Sequence, residues 1–203
     1  MVSEMEDWQG IEEIKEDLEN IRNNFLYMVI ERLSSIKRYN TRKFIIPQNV
    51  LEHEGSVTLI SMLFSDYFNK IGIKNDTEKV LRMAILHDTD EIISGDIPHD
   101  AKYDYTNNSE KVREALAFIE KETINNILNE IKRYGLFEKY HNYFNEIKEK
   151  KSIEAKIVKL ADFVDVMIYT KIENLLGNST IISELNNSTN NYNKLLNKIF
   201  NGE

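Results

Sequence analysis

Cysteine is absent from this 203-residue sequence, and glycine and proline are scarce, with seven and two residues. The absence of cysteine excludes disulfide frameworks, thiolate zinc sites, iron–sulfur clusters and cysteine nucleophiles. Any metal site must therefore be built from histidine and carboxylate side chains. A chain of this length buries about 70% of its unfolded surface on folding, so it needs no metal merely to stay folded. A metal site would be free to serve function.

Long apolar runs are also missing. The longest unbroken run, residues 25–30, is far shorter than the about 20 residues that span a bilayer. The first residues are acidic where a secretory signal would be basic, so we expect a cytoplasmic protein that contacts no membrane. The net charge of −8 argues against nucleic acid as a partner, because that binding depends on Lys and Arg neutralising phosphates.

Apolar residues recur at three- and four-residue spacing almost throughout the chain, which predicts an all-α fold. We expect a single domain over residues 1–203, built as a bundle of about six helices, with its core motifs within 38–169. The Asn-rich segment 178–203 is predicted to be a loosely docked tail. The predicted helices cover about 11–36, with an interruption near Asn23 and Asn24, and then 49–69, 77–91, 109–134, 136–150 and 153–176.

Ionisable side chains occupy positions on three of these helices where the pattern calls for apolar contact. They are His53 on one apolar stripe, His87 and Glu91 on the next, and Asp162 within an almost wholly apolar helix. A buried charge without a partner costs several kcal/mol, which favours mutual pairing or a shared cation. Asp88 adds a second ligand beside His87. Two imidazoles and two carboxylates suit Mn, Fe, Co, Ni or Zn.

The order of these motifs resembles the HD-domain metal-dependent phosphohydrolases, and within them the bacterial and phage 5′-deoxynucleotidases. The resemblance covers about two thirds of the chain and implies an HD-type helical bundle around the metal site. The matching stretches are Arg38-Tyr39, Asn49-Val-Leu-Glu-His53, His87-Asp88-Thr-Asp-Glu91, Ser94-Gly-Asp-Ile-Pro98 followed by Lys102-Tyr103, and Lys159-Leu-Ala-Asp162.

The resemblance implies one divalent metal ion, which would be Co, Mn, Zn, Fe, Ni or Mg. A divalent ion lowers the pKa of bound water and offsets charge on phosphoryl oxygens. The implied ligands are His53, His87, Asp88 and Asp162.

The resemblance also implies roles in catalysis and substrate binding. Glu91 acts on the attacking water, and in a continuous helix it would lie one turn beyond His87 on the same face. Asp96 recognises the deoxyribose hydroxyl, and Arg38 contacts the phosphate with its planar guanidinium. Asp165, three residues after the last predicted ligand, has two open roles, as a partner that orients a ligand or as a sugar contact.

Further substrate contacts are expected in the loop that follows the first helix. The family usually has Trp where this chain has Tyr39, which bears on the choice of base. The same loop carries Arg42 and Lys43, and Lys102 follows the Ser94–Pro98 stretch. A monophosphate could be held by fewer cations than these, so a triphosphate substrate stays in contention.

The leading hypothesis is a 5′-deoxynucleotidase that converts a deoxynucleoside monophosphate into a deoxynucleoside and phosphate. The alternative enzyme is a deoxynucleoside triphosphate triphosphohydrolase with the same metal site. A non-catalytic nucleotide-binding helical module is the alternative from a different class. The family resemblance also implies a homodimer or a larger homo-oligomer.

Overall fold

The computed structural model describes residues 11–97 and 109–202, and helices dominate this part of the chain. It contains no β-strand, and its only β-type pairing is an isolated bridge between Lys37 and Asn49. The all-α prediction is therefore confirmed. The helices are α1 Ile11–Asn20, which continues through a π-helical segment Ile21–Leu26 into α2 Tyr27–Ser35, then α3 Val50–Lys70, α4 Thr77–Leu86, α5 Glu91–Ser94, α6 Ser109–Asn129, α7 Phe137–Glu149, α8 Ile153–Leu175 and α9 Ile182–Asn201.

Side-chain caps fix the starts of the three helices that carry the predicted site. Asn49 and Glu52 form a reciprocal capping box at the start of α3. Asp76 accepts a hydrogen bond from Lys79 N at the start of α4, and Ser152 accepts one from Ala155 N at the start of α8. Each cap satisfies a backbone N–H that has no partner within the helix.

Two predicted helices are interrupted in the structure. The π-helical segment contains Asn23 and Asn24, where the sequence predicted a break in the first helix. The helix predicted over 77–91 ends at Leu86 instead. Glu91 N bonds to Asp88 O, and Thr89 N bonds to Leu86 O, which are the three-residue bonds of a tight turn. Glu91 therefore begins a separate short helix, and the prediction of one continuous helix here is wrong.

The helix α8 is the centre of the bundle and packs against α3, α4 and α9. Leu160 and Ala161 of α8 are fully buried, as are Val57 of α3 and Ala84 of α4, and all belong to one apolar cluster. Small side chains at two of these positions let the helix axes approach closely. This packing brings the first turn of α3 and the end of α4 against the middle of α8.

The C-terminal segment differs from its prediction. Residues 178–203 were expected to form a loosely docked tail, whereas α9 is a 20-residue helix packed along α8. Its apolar positions Leu195, Leu196 and Ile199 join the main core cluster. The Asn-rich composition masked a helix whose apolar residues fall on a single face.

Among the described residues, no helix is long and apolar enough to cross a bilayer.

Candidate functional site

The four predicted metal ligands meet where α3, α4 and α8 pack together. His53 lies in the first turn of α3, His87 and Asp88 directly follow α4, and Asp162 lies in the middle of α8. The Nε2 atom of His53 lies 3.2 Å from Nε2 of His87, 3.4 Å from Oδ2 of Asp88 and 3.4 Å from Oδ1 of Asp162. His87 Nε2 and one oxygen each of Asp88 and Asp162 therefore lie within 3.4 Å of His53 Nε2.

The Nδ1 atom of each imidazole has a hydrogen-bond partner of its own, and this partner determines which ring nitrogen carries the proton. His87 Nδ1 lies 2.8 Å from the carbonyl of Ala84, which can only accept, so Nδ1 carries the proton. His53 Nδ1 lies 2.6 Å from Oδ2 of Asp165 and donates to that carboxylate. When both rings are neutral, both Nε2 atoms therefore present lone pairs to the same space. This arrangement is typical of metal-binding histidines, whose other nitrogen is held by a carbonyl or carboxylate.

The electrostatics of the site favour a positive charge at its centre. Burial and Arg38 both act to lower the pKa of His53, yet its hydrogen bonds with carboxylates outweigh them and raise that pKa to about 10. Burial lowers the pKa of His87. Although burial opposes it, the two imidazoles hold the pKa of Asp88 far below its usual value. A site that attracts a proton this strongly also attracts a cation. The donor set matches a divalent ion of intermediate softness.

Three of these residues, His53, His87 and Asp88, have ligand atoms within 4.8 Å of one another. They form a candidate His/Asp metal group, called here the metal-ligand group. Asp162 adjoins this group through one oxygen. Its other oxygen accepts a hydrogen bond of 2.5 Å from Lys159 Nζ, one turn earlier on α8. Burial acts to raise the pKa of the Asp162 carboxyl. Lys159 and the two imidazoles outweigh burial and hold that pKa well below its usual value. The Lys159 contact was not predicted, although the three-residue spacing was its signal.

Glu91 lies beside the metal-ligand group in a cavity of about 360 Å³. Among the described residues, its Oε2 atom is buried without a hydrogen-bond partner. Burial, together with the negative charges of Asp88 and Asp96, raises the pKa of Glu91 well above its ordinary value. A buried carboxyl oxygen without a partner, next to a metal-ligand group, is suited to take up a proton from substrate or water.

The same cavity is lined by three lysines that the sequence did not join. Lys148 and Lys150, at the end of α7, line it together with Lys159 of α8. Lys148 pairs with Glu120 at 3.4 Å and Lys159 with Asp162 at 2.5 Å, and both of these carboxylates also line the cavity. The lining therefore combines ammonium groups with carboxylates.

Glu54, the residue after His53, is buried. Its side chain is 1% exposed and its Oε1 lies 3.4 Å from Thr89 Oγ1. Burial and the nearby Asp88 carboxylate raise the pKa of Glu54 to about 8. Glu54 is therefore mostly neutral near pH 7 and adds little charge to the metal-ligand group.

Arg38 and Asp165 lie behind His53. The guanidinium of Arg38 donates to Gln48 Oε1 at 3.0 Å and to Asp165 Oδ2 at 3.4 Å, and its Nη1 atom is 2.9 Å from His53 Nδ1. Asp165 is 4% exposed and is held by His53 and Arg38. Two roles were left open for Asp165, and this placement favours the one in which it orients His53.

The remaining predicted substrate residues lie at different places around this group. Asp96 accepts a hydrogen bond from the backbone N of Tyr39, whose φ of 53° is in the left-handed region. Arg42 forms an ion pair with Glu184 of α9. Lys43 is exposed. Lys102 lies outside the described residues.

A family model for YfbR-like 5′-deoxynucleotidases matches residues 24–200 of this chain. A 5′-deoxynucleotidase of Shewanella oneidensis is 26% identical over 155 residues, which cover 76% of this chain and 76% of that protein. The 5′-deoxynucleotidase YfbR of Shigella boydii is 26% identical over 84 residues, which are 41% of this chain and 42% of that protein.

The fold is also similar to solved structures. An HD-domain phosphohydrolase from Listeria innocua superposes with a TM-score of 0.65 at 23% identity, over 87% of this chain and 79% of that one. At this identity the likeness concerns the fold alone. It confirms the HD-type helical bundle that the order of motifs predicted.

Proposed function

Because the chain belongs to the YfbR-like 5′-deoxynucleotidase family, we propose that it removes the 5′-phosphate of deoxynucleoside monophosphates and releases a deoxynucleoside and phosphate. The observation that carries this proposal is that His87 Nε2 and one oxygen each of Asp88 and Asp162 lie within 3.4 Å of His53 Nε2, while the buried carboxyl of Glu91 lines the same cavity as His87, Asp88 and Asp162. The family and this donor set together support an HD-domain phosphohydrolase.

The proposed cofactor is a single divalent ion held by His53, His87, Asp88 and Asp162. When bound, such an ion polarises the phosphoryl group and makes water a stronger nucleophile near neutral pH. The chain's own contribution is to hold the two rings in the correct tautomer, through Ala84 O and Asp165.

The proposed role of Glu91 is to accept a proton from the attacking water. Its carboxyl lines the same cavity as His87 and Asp88, and its pKa is raised by burial and neighbouring carboxylates. A raised pKa makes the carboxylate of Glu91 a stronger base than an exposed glutamate, which supports this role.

Substrate contacts are proposed for the cationic and polar residues around the group. Arg38 would grip phosphate, Asp96 would accept from the deoxyribose hydroxyl, and Tyr39 would face the base. Arg42, Lys43 and Lys102 would add positive charge near the phosphate. Support comes from the hydrogen bond that ties Tyr39 to Asp96 and from the position of Arg38 next to His53.

A triphosphohydrolase is the second candidate. Lys148, Lys150 and Lys159 line the cavity beside the proposed ligands and would bind the additional phosphates of such a substrate in exchange for their present partners. Such an enzyme would release triphosphate from a deoxynucleoside triphosphate.

Product analysis separates these two enzymes and the binding module. Purified protein is loaded with Mn²⁺ or Co²⁺ and incubated with each deoxynucleoside mono- and triphosphate, and the products are identified by chromatography. Free phosphate from monophosphates supports the 5′-deoxynucleotidase. Triphosphate released from triphosphates supports the second candidate. If the metal-loaded protein hydrolyses neither class but binds them, it is a binding module.

We also propose that the protein forms a homodimer or a larger homo-oligomer. Apolar side chains at the C-terminal end of α8 are exposed, among them Ile168, Ile172, Leu175 and Leu176. Exposed apolar patches of this kind often mark protein interfaces. Light scattering coupled to size exclusion gives the mass in solution, and a monomer would contradict the proposal.

A further inference from the structure

The loop between α2 and α3, residues 36–49, contains Arg38, Tyr39, Arg42 and Lys43, and is called here the substrate loop. Its second half is anchored to the distant C-terminal end of α8. Glu173, whose side chain is fully buried, accepts hydrogen bonds from Ile45 N at 2.9 Å and from Ile46 N at 2.7 Å. One carboxylate thus binds two successive backbone N–H groups of the loop.

Asn178 completes this attachment just beyond the end of α8. Its Nδ2 donates to Glu173 Oε2 at 2.8 Å and to the carbonyl of Lys43 at 3.0 Å. The intervening Gly177 has φ 101°, a value that lets the chain turn back toward the loop. Glu173 and Asn178 are together called the loop anchor.

In the part of the chain that the structure describes, the loop anchor contains a buried carboxylate without a counter-charge. Among the described residues, no lysine or arginine pairs with Glu173, so the buried carboxylate is satisfied by N–H donors alone. Burying a charge without a counter-charge is unfavourable unless its hydrogen bonds are well formed. The Glu173 carboxylate fixes the position of two adjacent peptide groups of the substrate loop, because it accepts a hydrogen bond from each.

A series of contacts connects the loop anchor to the metal-ligand group. The hydroxyl of Tyr169 donates to Ile46 O at 2.6 Å. Its ring stacks on Phe44 at 5.2 Å between centroids, and Phe44 lies 5.2 Å from the ring of Tyr39. Tyr39 in turn follows Arg38, which contacts His53. A continuous series of contacts therefore joins Glu173 to both proposed substrate residues.

We propose that Glu173, with Asn178, is a positioning residue that holds the substrate loop in the conformation that binds the nucleotide. This inference rests on the proposed function for its effect on substrate. The attachment of the loop itself stands on the hydrogen bonds alone. Glu173 does not touch the reacting atoms, so its loss should weaken substrate binding and leave the chemical step intact.

The test compares Glu173→Gln with a matched control, Glu154→Gln. Glu154 lies on the same helix, and its carboxylate accepts a hydrogen bond from the backbone N of Asp76 at 3.1 Å, far from the substrate loop. Both variants replace a carboxylate that holds a backbone N–H, so general loss of stability is common to both. Glutamine at 173 keeps one acceptor oxygen but turns an amide donor toward the second N–H.

The first measurement is hydrogen exchange of the peptide covering residues 37–49, followed by mass spectrometry. We expect exchange about tenfold faster in Glu173→Gln, the change in an equilibrium constant that follows from losing about one net hydrogen bond. Glu154→Gln should leave this peptide unchanged. Unchanged exchange in Glu173→Gln would overturn the inference. This measurement needs no activity, so it decides the attachment even if the proposed function fails.

The second measurement is the steady-state kinetics of monophosphate hydrolysis. We expect KM to rise about tenfold in Glu173→Gln with kcat within about twofold of wild type, because substrate and transition state lose the same contacts. Glu154→Gln should change neither constant. Faster loop exchange together with an unchanged KM, or a fall in kcat alone, would overturn the positioning role.

A third variant, Asn178→Ala, tests whether the two anchor residues act together. It removes the donor to Glu173 and to Lys43 O and should also raise KM. The double variant should raise KM by less than the product of the single effects, because both substitutions disrupt one hydrogen-bond network. Multiplicative effects would contradict a shared anchor.

Discussion

His53 is wholly buried, and both of its ring nitrogens face charged groups. Nδ1 is held by Asp165, while Nε2 faces His87, Asp88 and Asp162. A core histidine that served only packing would need one hydrogen-bond partner for each nitrogen, not three around one of them. The crowding around Nε2 is what supports His53 as a proposed ligand.

Asp165→Asn tests how His53 is oriented. An asparagine can turn its NH2 group toward Nδ1, which favours the wrong tautomer and weakens the ligand. We expect the affinity for Co²⁺ or Mn²⁺ to fall about 10- to 100-fold, as is usual when a residue that orients a ligand is lost. Competition with a chelator measures it. Asp66→Asn, an exposed position on α3, is the control, and equal affinities in both variants would contradict the assignment.

Glu91→Gln separates proton transfer from metal binding. Glutamine keeps the shape of the side chain but cannot take up a proton, so kcat should fall about 10²- to 10⁴-fold. Metal content, measured by mass spectrometry of the purified protein, should match wild type because Glu91 is not a proposed ligand. Near-normal kcat, or loss of the metal, would show that its role has been misassigned.

Some residues of the candidate site could be predicted from the sequence, and others could not. His53, His87 and Asp162 could be proposed as ligands because each interrupts an apolar pattern, and Asp88 because it follows His87 within a recognisable motif. The Lys159 contact with Asp162 and the positions of Lys148 and Lys150 in the cavity lining were missed, because they depend on which faces of α7 and α8 turn toward the cavity. Spacing along one helix does not decide that orientation.

At the scale of elements, helix starts were easier to predict than some helix ends. Asn49 and Asp76 carry side-chain acceptors that mark α3 and α4. The end of α4 at Leu86 has no glycine or proline, and the apolar spacing continues through the turn to Glu91. His87 and Asp88 lie in this turn and contact His53 of another helix. Sequence periodicity contains no information about such contacts, and on its own it predicted one helix.

The link between α8 and the substrate loop predicts a pH dependence of stability. Although burial opposes it, hydrogen bonds from Ile45, Asn178 and Ile46 hold the pKa of Glu173 below its ordinary value. A depressed folded-state pKa adds stability above the unfolded pKa of about 4.3. That stability is lost as the pH falls through the folded value.

Urea unfolding of wild type and Glu173→Gln from pH 7 to pH 3 measures this effect. The glutamine variant has no carboxylate to protonate at this position. The difference in unfolding free energy between the two proteins should therefore be largest near neutral pH and shrink as the pH falls below about 4.3. A difference that stays constant over this range would contradict a charged Glu173 in the folded protein.

At the scale of the whole molecule, α8 contributes to both the core and the proposed metal site. One side of it carries Leu160 and Ala161 into the apolar cluster, and the same helix places Asp162 and Asp165 around His53. The all-α class followed from apolar periodicity alone. The docking of α9 did not, because asparagine and serine lowered the apolar content of a helix that still has one buried face.

Ile199→Ala tests whether α9 is an integral part of the bundle. Ile199 is 8% exposed and lies in the main cluster. Its truncation should lower the unfolding free energy by about 2–4 kcal/mol, as for other buried isoleucines. Ile182→Ala, at an exposed position of the same helix, should change it by less than about 0.5 kcal/mol. Similar small effects in denaturant titrations of both variants would indicate a loosely attached segment.

The central claim is that His53, His87, Asp88 and Asp162 bind one divalent ion. Anomalous diffraction from crystals of cobalt-loaded protein measures this directly. The account predicts a single peak about 2.0–2.2 Å from the two Nε2 atoms and from one oxygen of each carboxylate. A peak that leaves Asp162 bound only to Lys159, or no peak between the two imidazoles, would contradict it.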